Sequence, residues 1–271
     1  MGHSMRTADR HRVPVLGARA GGPAARFASH LGWHPAAVFV AALLSAFAVL
    51  LGLSVLLGLL LTDGLLSIDG VRRADERAID SLAAARTPFL TDASRIASDV
   101  GGATVLAVVA GTIAAVSAAR RRWRVAAFAF FMLFVETAGY RLTLWMVPRR
   151  RPGVERLDDL PVGGSYPSGH TAASIAVYIG FALLLTSAFP TRRVRLAAWG
   201  LATVLAVLVA LSRLYRGMHH PLDVAGGLFV GAGAICVLLF ACRAAGVDAG
   251  EARGARGGSL SEPGGGRGRR H

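Results

Sequence analysis

The chain has 271 residues, 54% of them hydrophobic and only 17% charged, with a mean hydropathy of +0.50. Water-soluble domains carry about a quarter charged residues, so this composition argues against a soluble globular protein and for a bilayer as the solvent. The formal charge of +14 would suit nucleic acid, but every basic residue apart from histidine is an arginine, and these sit mainly in the tails and in short connectors between apolar runs. That is the pattern of membrane topology and not of a basic nucleic-acid face, so no nucleic-acid partner is expected.

Residues 1–35 are rich in Arg, His, Gly and Ala without a sustained period and read as a disordered basic cytoplasmic leader. The apolar run that begins near Ala36 lacks a convincing small-residue cleavage site and is read as a retained first span. Six apolar segments follow, at about 36–62, 100–119, 125–147, 170–189, 196–212 and 221–242. Each suits a helix of roughly 20 residues, long enough to cross the hydrocarbon. Between the first two, residues 63–99 are polar, with Ile79, Leu82, Ala83, Phe89 and Leu90 at helical spacing. This predicts short helices lying at the membrane interface. Cys236 and Cys242 fall on the last apolar run; on one helix they cannot bond to each other and read as buried packing thiols. From Arg243 the composition turns to Gly, Arg, Ser and Glu, a disordered cytoplasmic tail over 243–271. The reading is therefore all-α: a polytopic six-transmembrane-helix bundle over 36–242, with short interfacial helices in the first outer loop. Six spans put both termini on one side; 18 arginines fall there and 11 on the other face, with Arg141 inside a span. The excess favours cytoplasmic termini.

Under that topology, two loops share the outer face and hold nearly all the chemistry. The third runs from Pro148-Arg149-Arg150-Arg151-Pro152 to Tyr166-Pro167-Ser168-Gly169-His170; the fifth runs from Ser212-Arg213 through His219-His220-Pro221 to Asp223. A phosphoryl group needs guanidinium forks and backbone N–H groups aimed at its oxygens. Arg151 and Arg213 can supply the forks, and Ser168 and Gly169 precede a helix whose positive end suits an anion. Ser-Gly before an apolar run reads equally well as a cap and turn. Pro221 fits the first position of a helix and sets Asp223 in its first turn, from where the carboxylate can hold one nitrogen of His219 and leave the other free to attack. His170 is then positioned to protonate the departing oxygen. Each histidine alone reads as an interfacial polar residue, and Asp223 alone as a favourable helix N-terminal charge.

Arg151-Pro152, Pro167-Ser168-Gly169-His170, and Ser212-Arg213 with His219 and Asp223 at their spacing resemble the three-part signature of the phosphatidic acid phosphatase type 2 superfamily. The second and third parts match completely. The resemblance implies a six-helix membrane lipid phosphatase with an extracytoplasmic site in a bacterial inner (plasma) membrane. It implies metal-independent, cofactor-free hydrolysis through a phosphohistidine: His219 as nucleophile, Asp223 as its orienting partner and His170 as acid. Arg151, Ser168, Gly169 and Arg213 would bind the phosphoryl oxygens. The lysine with which the first motif usually opens is replaced by Leu144; Arg141, about one turn earlier, is the first candidate to replace it, with Arg149 and Arg150 behind it.

The implied substrate is a lipid phosphate or diphosphate: a polyprenyl diphosphate, phosphatidate or phosphatidylglycerophosphate. The surplus arginines at 149–151 and 216 tip the expectation toward the first, because they offer a hold on a second phosphate. A vanadate-dependent haloperoxidase would share the motifs but is a soluble class. A non-catalytic lipid-phosphate binder would have been free to lose its histidines, and no paired broken spans suggest a transporter. Glu136 in mid-span reads as a structural partner of Arg141 or of an arginine on another helix. Tyr166, Tyr215, Trp123 and Trp145 read as interfacial anchors, and Asp158 and Asp159 as a solvated loop without metal-ligand spacing.

Overall fold

Local chemistry in the sequence sets the helix ends. In the computed structural model, which describes residues 13–159 and 163–247, proline occupies the first turn of four helices: α1 (Pro23–Leu31), α2 (Pro35–Leu59), α4 (Pro88–Val100) and α10 (Pro221–Ala244). Proline suits that position because its missing N–H would have no intrahelical partner there. Thr87 caps α4 by accepting from Leu90 N, and Thr191 caps α9 (Arg192–Tyr215) by accepting from Val194 N. The other helices are α3 (Asp69–Ala84), α5 (Ala103–Ala119), α6 (Trp123–Met146), α7 (Gly169–Ser174) and α8 (Gly180–Ala188). A single π turn, Ile175–Ile179, joins α7 to α8 as one span.

Among the described residues, six helical segments are long and apolar enough to cross a membrane: Pro35–Ser67, Pro88–Ala119, Trp123–Met146, Gly169–Ala188, Arg192–Tyr215 and Pro221–Ala244. The second starts earlier than its apolar run because the amphipathic α4 leads into α5 with only Gly101 and Gly102 between them. Together α3 and α4 account for the helices expected in the first loop. Large apolar side chains cover the outside, Trp145 at 85% exposure, Phe134 at 70% and Leu44 at 61%; hydrocarbon, not water, is the solvent that tolerates such a surface. Cys236 lies on the exposed side of α10, and only Cys242 is the buried thiol expected of both.

The inner face of the bundle is closed by Leu106, Phe128, Met132, Val177, Ala234 and Leu238. The last helix, α10, packs against α2, α6 and α7. Its glycines permit that approach: a Cβ on Gly231 would lie 2.4 Å from the Ala172 carbonyl oxygen, and one on Gly227 2.5 Å from that of Ser168. Small residues at such crossings let backbones meet without loss of packing.

At the end of the bundle away from the motifs, residues read as a structureless leader are partly ordered. The short helix α1 is stopped by Gly32 in the left-handed conformation, and Phe27 packs edge-on against Phe240 of α10, ring centroids 5.4 Å apart. Nearby, Val15 N donates to Ser187 Oγ and Arg243 Nε to the Val15 carbonyl. This docking was invisible in composition because the partners lie more than 170 residues away. Residues 1–12 of the leader and 248–271 of the tail lie outside the described residues.

Candidate active site

The third and fifth connectors and the first loop meet at one end of the bundle. Ser168 N donates to the Asp223 carbonyl at 3.0 Å, Leu157 N to the Arg216 carbonyl at 3.1 Å, and Ser165 N to the Arg149 carbonyl at 2.8 Å. The turn after α9 depends on Gly217, whose φ of +68° disfavours a side chain and whose added Cβ would lie 2.7 Å from Val154 Cγ2. It delivers His219 to the start of α10, where His220 and Asp223 form a reciprocal capping box.

His219 is buried, and its Nδ1 lies 2.8 Å from the Ser165 carbonyl oxygen. A carbonyl only accepts, so Nδ1 carries the proton and Nε2 keeps its lone pair. Burial pushes the imidazole down to about 3, partly opposed by Asp223, so the ring is neutral at physiological pH. Asp223 stands 3.9 Å from Nδ1, beyond hydrogen-bond reach. Its Oδ2 instead accepts from His220 N at 2.7 Å and from Ser165 Oγ, while Oδ1 lies 2.7 Å from Arg149 Nη1. The direct Asp–His hydrogen bond expected from spacing is thus replaced by a bond through Ser165, a residue that no motif singles out. Tyr166, expected as an interfacial anchor, is fully buried. Its phenol is pushed up to about 12 by burial and by the Asp223 charge.

Two arginines carry unspent donors. Arg213 is fully buried; its Nη1 bonds to Ser98 Oγ and to Asp158 Oδ2 at 2.6 Å, while Nε and Nη2 are buried without a partner among the described residues. Arg151 donates from Nη1 to the Met218 carbonyl at 2.7 Å, next to His219, and its Nε is likewise buried and unpartnered among the described residues. Burial and the Arg156 charge pull the Arg151 guanidinium below its ordinary range. Both arginines act electrostatically on His219 and on His170. Buried N–H groups left unpaired cost about 1–3 kcal/mol each, more when charged, so this arrangement is one that an oxyanion would complete.

His170 is the second residue of α7, half-buried, and within the electrostatic reach of Arg213, Asp158 and Arg151. Gly169 begins α7 with its Cα against the Tyr140 ring, where a Cβ would come within 3.0 Å. The Ser168 amide, expected to face an anion, is taken by the Asp223 carbonyl; its hydroxyl lies 3.0 Å from Thr171 Oγ1.

Other expectations need correction. Arg141 is exposed on α6 and has no hydrogen bond to the cluster among the described residues. Arg149 is the buried arginine, bridging Asp223 and Asp75 of α3. Asp158 is not solvated: it bridges Arg213 and Arg216, whose guanidinium groups outweigh the effect of burial and hold its carboxyl below the usual range. Tyr215 is buried and its hydroxyl accepts from Thr87 N at 2.9 Å, so it ties the first loop to α9 and is no interfacial anchor. Glu136 is buried, accepts from Thr137 Oγ1 at 3.1 Å, and makes no ion pair among the described residues. One signal pointed to these ion pairs: Asp75 and Asp158 are acids on the face that also holds the paired arginines.

The helical bundle thus ends in buried guanidinium groups beside a neutral, buried histidine. The sequence model of the PAP2 superfamily matches residues 145–245 of the chain. It is 36% identical over 80 residues to the bacitracin transport permease protein BcrC of Bacillus licheniformis, covering 30% of this chain and 34% of that one. It is 38% identical over 68 residues to phosphatidylglycerophosphatase B of Bacillus subtilis, covering 25% and 34%. With an undecaprenyl-diphosphatase of Sulfolobus acidocaldarius the identity is 44% over 75 residues, covering 28% and 32%. The matched region spans about a third of the length of these curated relatives. The crystal structure of a transmembrane PAP2-type phosphatidylglycerolphosphate phosphatase from Bacillus subtilis superposes with a TM-score of 0.57 at 22% identity, covering 84% of this chain and 98% of that one. The two chains thus share a fold.

Proposed function

We propose that the protein is an integral membrane lipid phosphatase that removes the terminal phosphate of a lipid phosphomonoester or diphosphate. The reaction runs through a phosphohistidine on His219, at the extracytoplasmic face of a bacterial plasma membrane. The observation that carries this reading is the neutral His219, its Nδ1 proton engaged by the Ser165 carbonyl, together with three buried guanidinium nitrogens that lack partners among the described residues: Arg213 Nε, Arg213 Nη2 and Arg151 Nε.

In this mechanism the Nε2 lone pair attacks phosphorus while Arg213 and Arg151 neutralise the phosphoryl oxygens. The bond from phosphorus to the lipid oxygen breaks, and His170 gives that oxygen its proton. His170 then takes a proton from water, the resulting oxygen attacks phosphorus, the P–N bond breaks, and inorganic phosphate leaves with His219 neutral again. Asp223 acts at one remove: through Ser165, and through the capping box that sets the start of α10, it positions the His219 ring. The reading needs no metal or other cofactor.

The names of the relatives point to phosphatidylglycerophosphate or undecaprenyl diphosphate as substrate classes. Arg149 and Arg216 are both engaged by carboxylates, which leaves the surplus arginines less hold on a second phosphate.

The test is phosphate release by the purified protein from a panel of lipid phosphates and diphosphates. His219→Ala is expected to abolish release while the protein remains folded in detergent; retained turnover would remove its role. Vanadate should compete with substrate, and a chelator should leave the rate unchanged. Chelator sensitivity, or binding without hydrolysis across the panel, would overturn the phosphatase reading.

A further inference from the structure

Asp158 lies in the connector between the third and fourth spans and is the hinge of a charge arrangement that the motifs do not describe. Its Oδ2 takes Arg213 Nη1 at 2.6 Å, and its Oδ1 takes Arg216 Nε at 2.7 Å. The remaining Arg216 donors are also spent: Nη2 on the Leu157 carbonyl at 2.6 Å, and Nη1 on Ser94 Oγ at 3.2 Å. Arg216 is therefore buried and saturated, whereas Arg213, one turn earlier on α9, keeps two nitrogens, Nε and Nη2, without a partner among the described residues. A single carboxylate divides two neighbouring guanidinium groups into one that offers donors and one that does not.

We infer that Asp158 sets the anion specificity of the site, aiming Arg213 at one phosphoryl group and withholding Arg216 from a second. The three unpartnered buried nitrogens, two on Arg213 and one on Arg151, can donate to the non-bridging oxygens of one terminal phosphate. A diphosphate carries a further charged group that would need a cation of its own, and Arg216 is the nearest in sequence to Arg213. The substrate favoured is thus a lipid whose terminal phosphate is a monoester, with no adjoining phosphate held by guanidinium. This rests on the phosphatase reading only for the word substrate; the selectivity itself is a property of anion binding.

The test measures binding of orthophosphate and pyrophosphate to the full chain in detergent, in a His219→Ala background so that no turnover intervenes. Asp158→Ala should weaken orthophosphate by about tenfold, because Arg213 loses the charge-assisted bond that aims it. It should also free Arg216, so that the ratio of pyrophosphate to orthophosphate affinity rises by about tenfold. Adding Arg216→Ala should return the ratio to its starting value. A purely structural role would weaken both anions equally and leave the ratio unmoved, and that result overturns the inference, as does a raised ratio that Arg216→Ala fails to reverse. If Asp158→Ala does not fold, Asp158→Asn keeps an acceptor for one guanidinium and should move the ratio in the same direction by a few-fold. Altered selectivity without lipid phosphate hydrolysis by the unmodified protein would sink the phosphatase reading and leave this one standing.

Discussion

Arg149 offers the sharpest test of how the site is held together. Its guanidinium sits between Asp75 on α3 and Asp223 on α10, with side chains only 6%, 4% and 0% exposed. Asp75 in turn accepts from Leu222 N at 3.1 Å, so the first loop, the third connector and the last span are joined through one cation. Replacing Arg149 with methionine keeps most of the volume but strands two buried carboxylates. Breaking a buried pair this way costs about 3–5 kcal/mol. For a protein of this size, each kcal/mol corresponds to roughly 2–4 °C in melting temperature, so a fall on the order of 10 °C is expected in a thermal-unfolding scan in detergent. Asp75→Asn added to Arg149→Met removes one stranded charge and should recover part of that fall. If the single variant melts within a degree or two of the parent, or if the second change lowers the melting point further by its full independent cost, the three groups do not act as one network.

Acid sensitivity follows from His219. The unfolded imidazole titrates near its ordinary 6.5, whereas the folded one is pushed down to about 3 by burial. Above pH 6.5 neither state binds the proton, and the group adds no pH dependence. Between about 6.5 and 3 the unfolded chain binds up to one more proton, so stability falls with falling pH, up to tenfold in the folding equilibrium per pH unit. His219→Gln should flatten that part of the stability profile, and a histidine resonance titrating near 6.5 and assigned to His219 would contradict it. Gly227→Ala should damage activity more than Gly52→Ala: the first Cβ meets the Ser168 carbonyl oxygen at 2.5 Å, the second meets nothing within 4 Å. Overpacking of about 1–3 kcal/mol displaces the turn that carries His170, and equal activity of the two variants would show that the turn is not so confined.

What composition and period determined about this chain is its solvent and its scaffold. Six apolar runs of bilayer length leave helices as the way to satisfy every backbone group in hydrocarbon, and the described residues hold six such helices near the expected positions. Motif spacing likewise singled out His170, Arg213, His219 and Asp223 as candidates, and Pro221 and Asp223 took their places in the first turn of α10 because those places are set by neighbours in sequence. The partners were beyond reach. Arg149 meets Asp75 across 74 positions, Ser165 meets Asp223 across 58, and Ser98 meets Arg213 across 115. Which acid takes which arginine depends on how loops from different spans pack, and no local period encodes that. Only the tertiary structure decided that Arg149 and Arg216 are spent on carboxylates while Arg213 and Arg151 keep free donors. The reason is physical: in a buried site a guanidinium is defined by which of its N–H groups remain unpaired.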